Sequence, residues 1–246
     1  GGTILPWEIK KLRDEGIARI YSPDDGREMG LTGMVGNAIE EAGKINLLEK
    51  SRFNSLSGAI SADDHGSVSK LLTMAENADD SEFQAVLQRV RSVDADSGCP
   101  VVGLTGTGGA GKSSLTDELM LRIQRDNPGA KVALLATDPT RKRTGGALLG
   151  DRIRMNSLAD DNLFMRSFAS RASGREIADC IGRAIEACQA VGFDLILVET
   201  SGIGQGNDAI TEVADLSMYV TTREYGAPSQ LEKLAALDFA DLVVLN

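Results

Sequence analysis

The segment Gly106-Thr107-Gly108-Gly109-Ala110-Gly111-Lys112-Ser113 has the residue types and spacing to hold a polyphosphate. Its glycines let successive backbone N–H groups turn inward around phosphate oxygens. Lys112 supplies a cation for the β- and γ-phosphates, and the Ser113 hydroxyl is a ligand for Mg²⁺. The pattern G-x-x-x-x-G-K-[ST] would occur by chance in roughly one chain of this length in a hundred. The same glycines, Gly106, Gly108 and Gly111, also spell G-x-G-x-x-G, with Asp138 placed where a dinucleotide fold keeps its ribose acid. That rival has no use for Lys112-Ser113, and a lysine at a helix start opposes the helix dipole unless an anion is present.

A phosphate loop needs acids for its metal and a group that senses the terminal phosphate. Asp138 follows the apolar run Leu134 to Thr137, and Glu199 follows Leu195 to Val198, a strand ending that suits a metal-side acid. Thr200-Ser201-Gly202-Ile203-Gly204-Gln205-Gly206 is then a glycine-hinged loop. There Gly202 can offer its N–H to the γ-phosphate, and Gln205 is either a water-positioning residue or a surface one. The cationic stretch from Arg141 to Arg154 reads as a switch or docking segment beside the nucleotide or as a solvated face, with Asp151 a further metal-side acid on the first reading.

The elements that must position these groups are legible as an alternation. Strands are predicted at 100–105, 131–137, 162–168, 194–200, 217–222 and 241–246, and helices at 113–125 and 174–191. Near-continuous Val, Ile, Leu and Ala in the strands implies helices on both faces, hence an α/β fold with a doubly wound, mostly parallel sheet. Before it, residues 43–98 read as a helical linker, with amphipathic runs at 68–75 and 83–93. Residues 1–42 read as strand (3–5), helix (Pro6 to Gly16), strand (17–21), turn (22–26) and helix (31–42), the tail of an α/β domain. The chain thus reads as a piece of a longer protein, with domains at 1–42, 43–98 and 99–246.

Composition narrows the function classes. With 26 Lys plus Arg against 36 Asp plus Glu, the net charge of −10 leaves no broad basic footprint for nucleic acid. No apolar run reaches the roughly 18 residues of a membrane span, and no cleavable leader is apparent, so a cytoplasmic protein is expected. Cys99, Cys180 and Cys188 fit no metal or redox spacing and read as buried thiols. His65 is the single histidine, which excludes a multi-histidine metal site; it reads as a solvated loop residue. Ser67-Val68-Ser69-Lys70 matches S-x-x-K, but the S-D-N and K-T-G partners are missing.

Taken together, Gly106 to Ser113, Asp138-Pro139-Thr140, Arg143-Thr144-Gly145-Gly146 with Gly150-Asp151, and Glu199 to Gln205 resemble the P-loop GTPases that chaperone cobalamin-dependent acyl-CoA mutases, the methylmalonyl-CoA mutase accessory protein family. Glu224 to Lys233 and Leu237 to Asp241 look most like its fused members of the isobutyryl-CoA type, in which cobalamin-binding domain, GTPase and mutase barrel share one chain. In that light Gly1 to Ile4 and Arg19 to Gly26 resemble the end of a flavodoxin-like cobalamin-binding domain. The resemblance implies GTP hydrolysis coupled to loading and proofreading of adenosylcobalamin. It implies nucleotide binding by Gly106, Gly108, Gly109, Ala110, Gly111, Lys112, Ser113, Ser114 and Asn246, and Mg²⁺ binding by Ser113, Asp138, Asp151 and Glu199. Lys112, Gly202 and Gln205 would serve catalysis, and residues 223–233 would form another switch loop. Of the guanine-reading N-K-x-D pattern, Asn246 alone is represented. Implied partners are the mutase and cobalamin-binding domains, an adenosyltransferase delivering cofactor, and further copies in a homo-oligomer; neither nucleic acid nor membrane is implied. A P-loop ATPase or kinase, and a docking module that binds nucleotide without turnover, remain as alternative readings.

Overall fold

The computed structural model describes residues 4–46, 49, 53, 56–92, 95, 98–138, 155–170, 177–202, 209–223 and 238–246. They fall into two compact units, 1–49 and 50–246.

In the first unit, α1 (Pro6–Asp14) starts on Pro6 at its first turn, with Leu5 N donating to Glu8 Oε2 at 2.7 Å. Gly16, at φ 101°, ends it. The stretch read from sequence as a turn opens a helix instead. Ser22 caps α2 (Pro23–Gly43), accepting from Asp25 N at 3.2 Å, while Ser22 N donates to Asp25 Oδ2 at 2.7 Å. Ser-Pro-Asp-Asp serves a turn and a capping box equally well, and the following helix decides. The helix kinks at Gly30, φ 63° and ψ 174°. The expected strand over 17–21 is not formed, nor are Ile4 and Leu5 in one. A strand exists only by pairing, and the described residues of this unit contain none. Side chains fasten the 17–21 segment to α2: Tyr21 Oη donates to Asn37 Oδ1 at 2.9 Å, and Arg19 pairs with Asp25 at 3.0 Å.

In the second unit, α3 (His65–Asn77) and α4 (Asp80–Val90) precede a six-stranded sheet. Its strands are β1 (Val101–Gly106), β2 (Val132–Asp138), β3 (Leu163–Ala169), β4 (Leu195–Glu199), β5 (Leu216–Thr221) and β6 (Leu242–Leu245). Their order is β3-β2-β4-β1-β5-β6, with every pair parallel. Helix α5 (Lys112–Asp126) follows β1 and α6 (Ile181–Val191) precedes β4. The latter begins later than its sequence period implied, and its αL Gly192 cap lies where expected. Residues 171–176 lie outside the described residues.

One core, on the α5 side of the sheet, gathers Leu104, Met120, Leu134, Leu163 and Leu197. On α6 pack α3 and α4, burying Leu71, Leu72 and Phe83 completely. Ion pairs fix this layer to the rest of the unit: Lys131 to Asp63 at 2.7 Å and Arg166 to Glu76 at 3.2 Å. Arg183 also donates to Ala78 O at 2.9 Å. His65 is not a solvated loop residue. Capped by Asp64, it opens α3, its ring edge meets Phe164 at 5.2 Å between centroids, and its Nε2 is buried. Ser67, the serine of the S-x-x-K pattern, is buried in the first turn of the same helix. All three cysteines are buried and none forms a disulfide, and burial pushes the Cys188 thiol up, away from the reactive thiolate.

Register is set at the end of the sheet opposite the phosphate loop. Asp194, Asp215 and Asp241 each precede a strand and accept an N–H at the start of a neighbouring one: Lys131 N at 2.8 Å, Val101 N at 2.8 Å and Ser217 N at 2.7 Å. With one end levelled in this way, Leu104 and Ala136 both face Glu199, and Gly106 faces Val220 at the other. The carboxyl ends of β1, β2 and β4 therefore converge, the edge at which open parallel sheets bind ligands.

Candidate nucleotide site

The chain leaves β1 at Gly106 and enters α5 at Lys112 through a loop shaped by glycine. Gly106 (φ 140°), Gly109 (φ 80°) and Gly111 (φ 84°) hold backbone conformations that side chains resist. Gly111 is the N-cap of α5, which has neither a side-chain cap nor an acid in its first turn. The first N–H groups of that helix have no acceptor within it, so the loop presents donors and the positive end of the dipole to an anion.

Lys112 is buried, and its Nζ donates to Gly106 O and Thr107 O, each at 3.2 Å, which lays the ammonium along the inner wall of the loop. Opposite, Gly202 has φ 66°, and a Cβ there would run into Lys112 Nζ and approach Gly106 O at 3.0 Å. The segment after β4 thus rests directly on the phosphate loop. Glu199, buried at the end of β4, accepts from Ser113 Oγ at 2.6 Å, and Thr116 Oγ1 lies 3.3 Å from its other oxygen. Asn246, at the end of β6, donates from Nδ2 to Ala110 O at 2.9 Å, so the last strand is also tied to the loop.

Of these groups, Gly109, Gly111, Lys112, Ser113 and Glu199 line a cavity of about 530 Å³, in the size range of small-ligand sites. Its walls include Gly108, Lys112, Ser113, Ser114, Asp138 and Glu199, all inferred from sequence. Also in its wall is Ser201, whose Oγ is buried without a hydrogen-bond partner among the described residues. An orphaned buried hydroxyl, an uncapped helix start and open space beside Gly109 fit the oxygens of a phosphate chain. Among the described residues no group of three His, Cys, Asp or Glu could enclose a metal. Mg²⁺, which keeps waters and phosphate oxygens as most of its ligands, fits a site offering one serine and nearby carboxylates. Asp151 and Gln205, with the 141–154 segment and nearly all of 223–233, lie outside the described residues.

Sequence reasoning overlooked two α5 residues. Thr116 is the first. The second, Asp117, lines the cavity and accepts from Ser157 N at 2.9 Å and from Asn156 N at 3.1 Å. It anchors the 155–157 segment, where the chain returns from the 139–154 connection, to the phosphate-loop helix. Burial raises the Asp117 carboxyl, but the hydrogen bonds from Ser157 and Asn156 outweigh it and hold the group below the usual carboxylate range. A folded value below the unfolded one means that this stabilisation is complete above about pH 4 and is lost as pH falls through the depressed value. Asp117→Asn turns an acceptor into a donor facing N–H groups. It is expected to cost about 1–3 kcal/mol at pH 7, with a gap to wild type that narrows in melting curves taken near pH 3.

Residues 68–246 match the family described as methylmalonyl Co-A mutase-associated GTPase MeaB. The chain is 48% identical over 255 residues to the fused isobutyryl-CoA mutase of Geobacillus kaustophilus, covering 100% of this chain and 23% of that protein. To the fused isobutyryl-CoA mutase of Cupriavidus metallidurans it is 47% identical over 249 residues, covering 100% and 22%. It thus spans about a quarter of the length of these relatives. Among solved structures, LAO/AO transport system kinase matches with a TM-score of 0.51 at 23% identity, covering 81% of this chain and 56% of that one, a likeness of fold. No helix among the described residues is long and apolar enough to cross a membrane.

Proposed function

This chain belongs to the MeaB family of methylmalonyl-CoA mutase-associated GTPases, and from that membership we propose that it binds GTP with Mg²⁺ at the cavity and hydrolyses it. The observation that carries the proposal is the junction of the phosphate loop with Glu199: Ser113 of the loop donates to the acid at the end of β4 at 2.6 Å, inside a cavity walled by Lys112 and an uncapped helix start.

In this reading Gly106, Gly108, Gly109, Ala110, Gly111 and Ser114 wrap the phosphates with backbone donors, and Lys112 holds the β- and γ-oxygens. Ser113, Asp138, Asp151 and Glu199 hold the metal or its waters. When bound, Mg²⁺ supplies charge neutralisation at the phosphoryl group that leaves. Gly202, packed on Lys112, offers its N–H to the γ-phosphate, so loss of that phosphate releases the loop after β4. Gln205 orients the attacking water. Asn246 places the base-reading strand against the loop and serves guanine selection.

By the length and content of its relatives, the domain acts within a fused, cytoplasmic, homo-oligomeric acyl-CoA mutase of the isobutyryl-CoA type. There the nucleotide cycle gates loading and proofreading of adenosylcobalamin delivered by an adenosyltransferase. Displacement of labelled GDP tests the nucleotide choice. ATP is expected to compete roughly 100-fold more weakly than GTP, since a base site built from hydrogen bonds rejects the wrong edge. Equal competition would instead mark an ATPase or a kinase.

A further inference from the structure

Thr116 is completely buried one turn into α5, three residues after Ser113 and on the same helix face. Its Oγ1 lies 2.9 Å from Lys112 O and 3.3 Å from Glu199 Oε2, while Ser113 Oγ lies 2.6 Å from Glu199 Oε1. One helix face thus reaches both oxygens of a single carboxylate.

The protons can be counted. Ser113 has one, and the 2.6 Å separation is that of a charge-assisted bond to a carboxylate, so the proton is committed to Oε1. Its oxygen lone pairs are then free for a cation in the cavity that Ser113 lines. Thr116 also has one proton. Lys112 O is the nearer acceptor, and Glu199 Oε2 is reached as the longer arm of a three-centre bond, an arrangement common at helix ends. A carboxylate touched at one oxygen can turn about its final C–C bond. Touched at both, it has one plane, and that plane decides where the Ser113 proton points.

We propose that Thr116 is a positioning residue for the Mg²⁺ end of the site: by holding Glu199 Oε2, its hydroxyl keeps Ser113 donating to Oε1 and accepting from nothing, ready for the cation. The inference rests on reading the cavity as a Mg²⁺–nucleotide site. Without the hydroxyl, Glu199 Oε2 loses this contact, the direction of the Ser113 proton is set less tightly, and the metal binds a hydroxyl that must first be reoriented.

The test is the Mg²⁺ dependence of binding for a fluorescent GDP, measured on the whole chain from EDTA into millimolar Mg²⁺, for wild type, Thr116→Val and Thr116→Ser. Valine keeps the volume and removes the hydroxyl; serine keeps the hydroxyl and removes the methyl. For Thr116→Val the Mg²⁺ midpoint is expected to rise roughly tenfold, the worth of one hydrogen bond to a charged group. Its affinity in EDTA is expected to stay within about twofold of wild type, and Thr116→Ser to restore the wild-type midpoint. An unchanged midpoint in Thr116→Val would overturn the proposal, as would an equal rise in Thr116→Ser, which would assign the effect to lost packing. Should the valine variant not fold, Thr116→Cys, similar in size but a weak donor, takes its place in the comparison with serine. Wild-type protein that binds GDP without any response to Mg²⁺ would overturn the underlying site reading, and this inference with it.

Discussion

Lys112→Ala is expected to lower GTP turnover by roughly 10²–10³-fold, the cost of removing one preorganised charge from the place where phosphoryl charge develops. Nucleotide affinity should fall less, by about 10- to 100-fold, because the backbone donors of the loop and the start of α5 remain. The split follows from placement. Nζ is held on Gly106 O and Thr107 O, and the Gly202 backbone closes over it, so the ammonium is fixed before the nucleotide arrives. Titration with GDP and with GTP, beside single-turnover hydrolysis, separates these effects. A variant with wild-type turnover would remove Lys112 from the site.

The second large effect concerns the fold beneath that loop. Gly106→Ala is expected to cost about 4 kcal/mol or more, a large share of the roughly 5–15 kcal/mol that holds a domain together. At φ 140° a Cβ on residue 106 would overlap the carbonyl of Val220, its register partner on β5, and backbone in the middle of a sheet cannot give way. Gly109→Ala makes the contrast. Its φ of 80° is also left-handed, but a Cβ there meets nothing within 4 Å, so the cost should be only about 1–2 kcal/mol. Thermal melting of the two variants should therefore differ by roughly 5 °C at this chain length. Equal losses would mean that β1 and β5 are not paired at Gly106 and Val220.

Those two glycines show where sequence reading stops. Both are glycines of one loop, and the contact that separates their costs, Val220, lies more than a hundred residues away from either. The phosphate loop was legible because its chemistry is written in eight consecutive residues, and the strands because burial on both faces demands unbroken apolar runs. Glu199 and Asp138 followed from their places at strand ends. Ile17 to Tyr21 has strand composition, but a strand needs a neighbour, and pairing is not a local property. His65 looked like loop because Asp63-Asp64 precedes it, whereas Asp64 is a helix cap and Phe164 supplies the ring's wall. Thr116 and Asp117 read as ordinary helix positions. A polar residue at i+3 from the loop serine was the one hint, and its meaning depended on an acid 83 residues further along.

In the proposed cycle, release of phosphate would act on the segments that follow β2 and β4. Gly202 rests on Lys112, Glu199 on Ser113 and Thr116, and Asp117 on the segment that returns from residues 139–154. The described ends of both segments, Asn156 and Ser157 on one side and Gly202 on the other, thereby meet α5. The most direct test of a Mg²⁺-dependent GTPase at this cavity is release of inorganic phosphate from GTP by the whole chain, with Mg²⁺ and with EDTA, beside Lys112→Ala. The expected result is turnover with Mg²⁺ that disappears in EDTA and falls by roughly 10²–10³-fold in the variant. Phosphate release that is equal in all three, or absent from the wild type while GTP binds tightly, would contradict it.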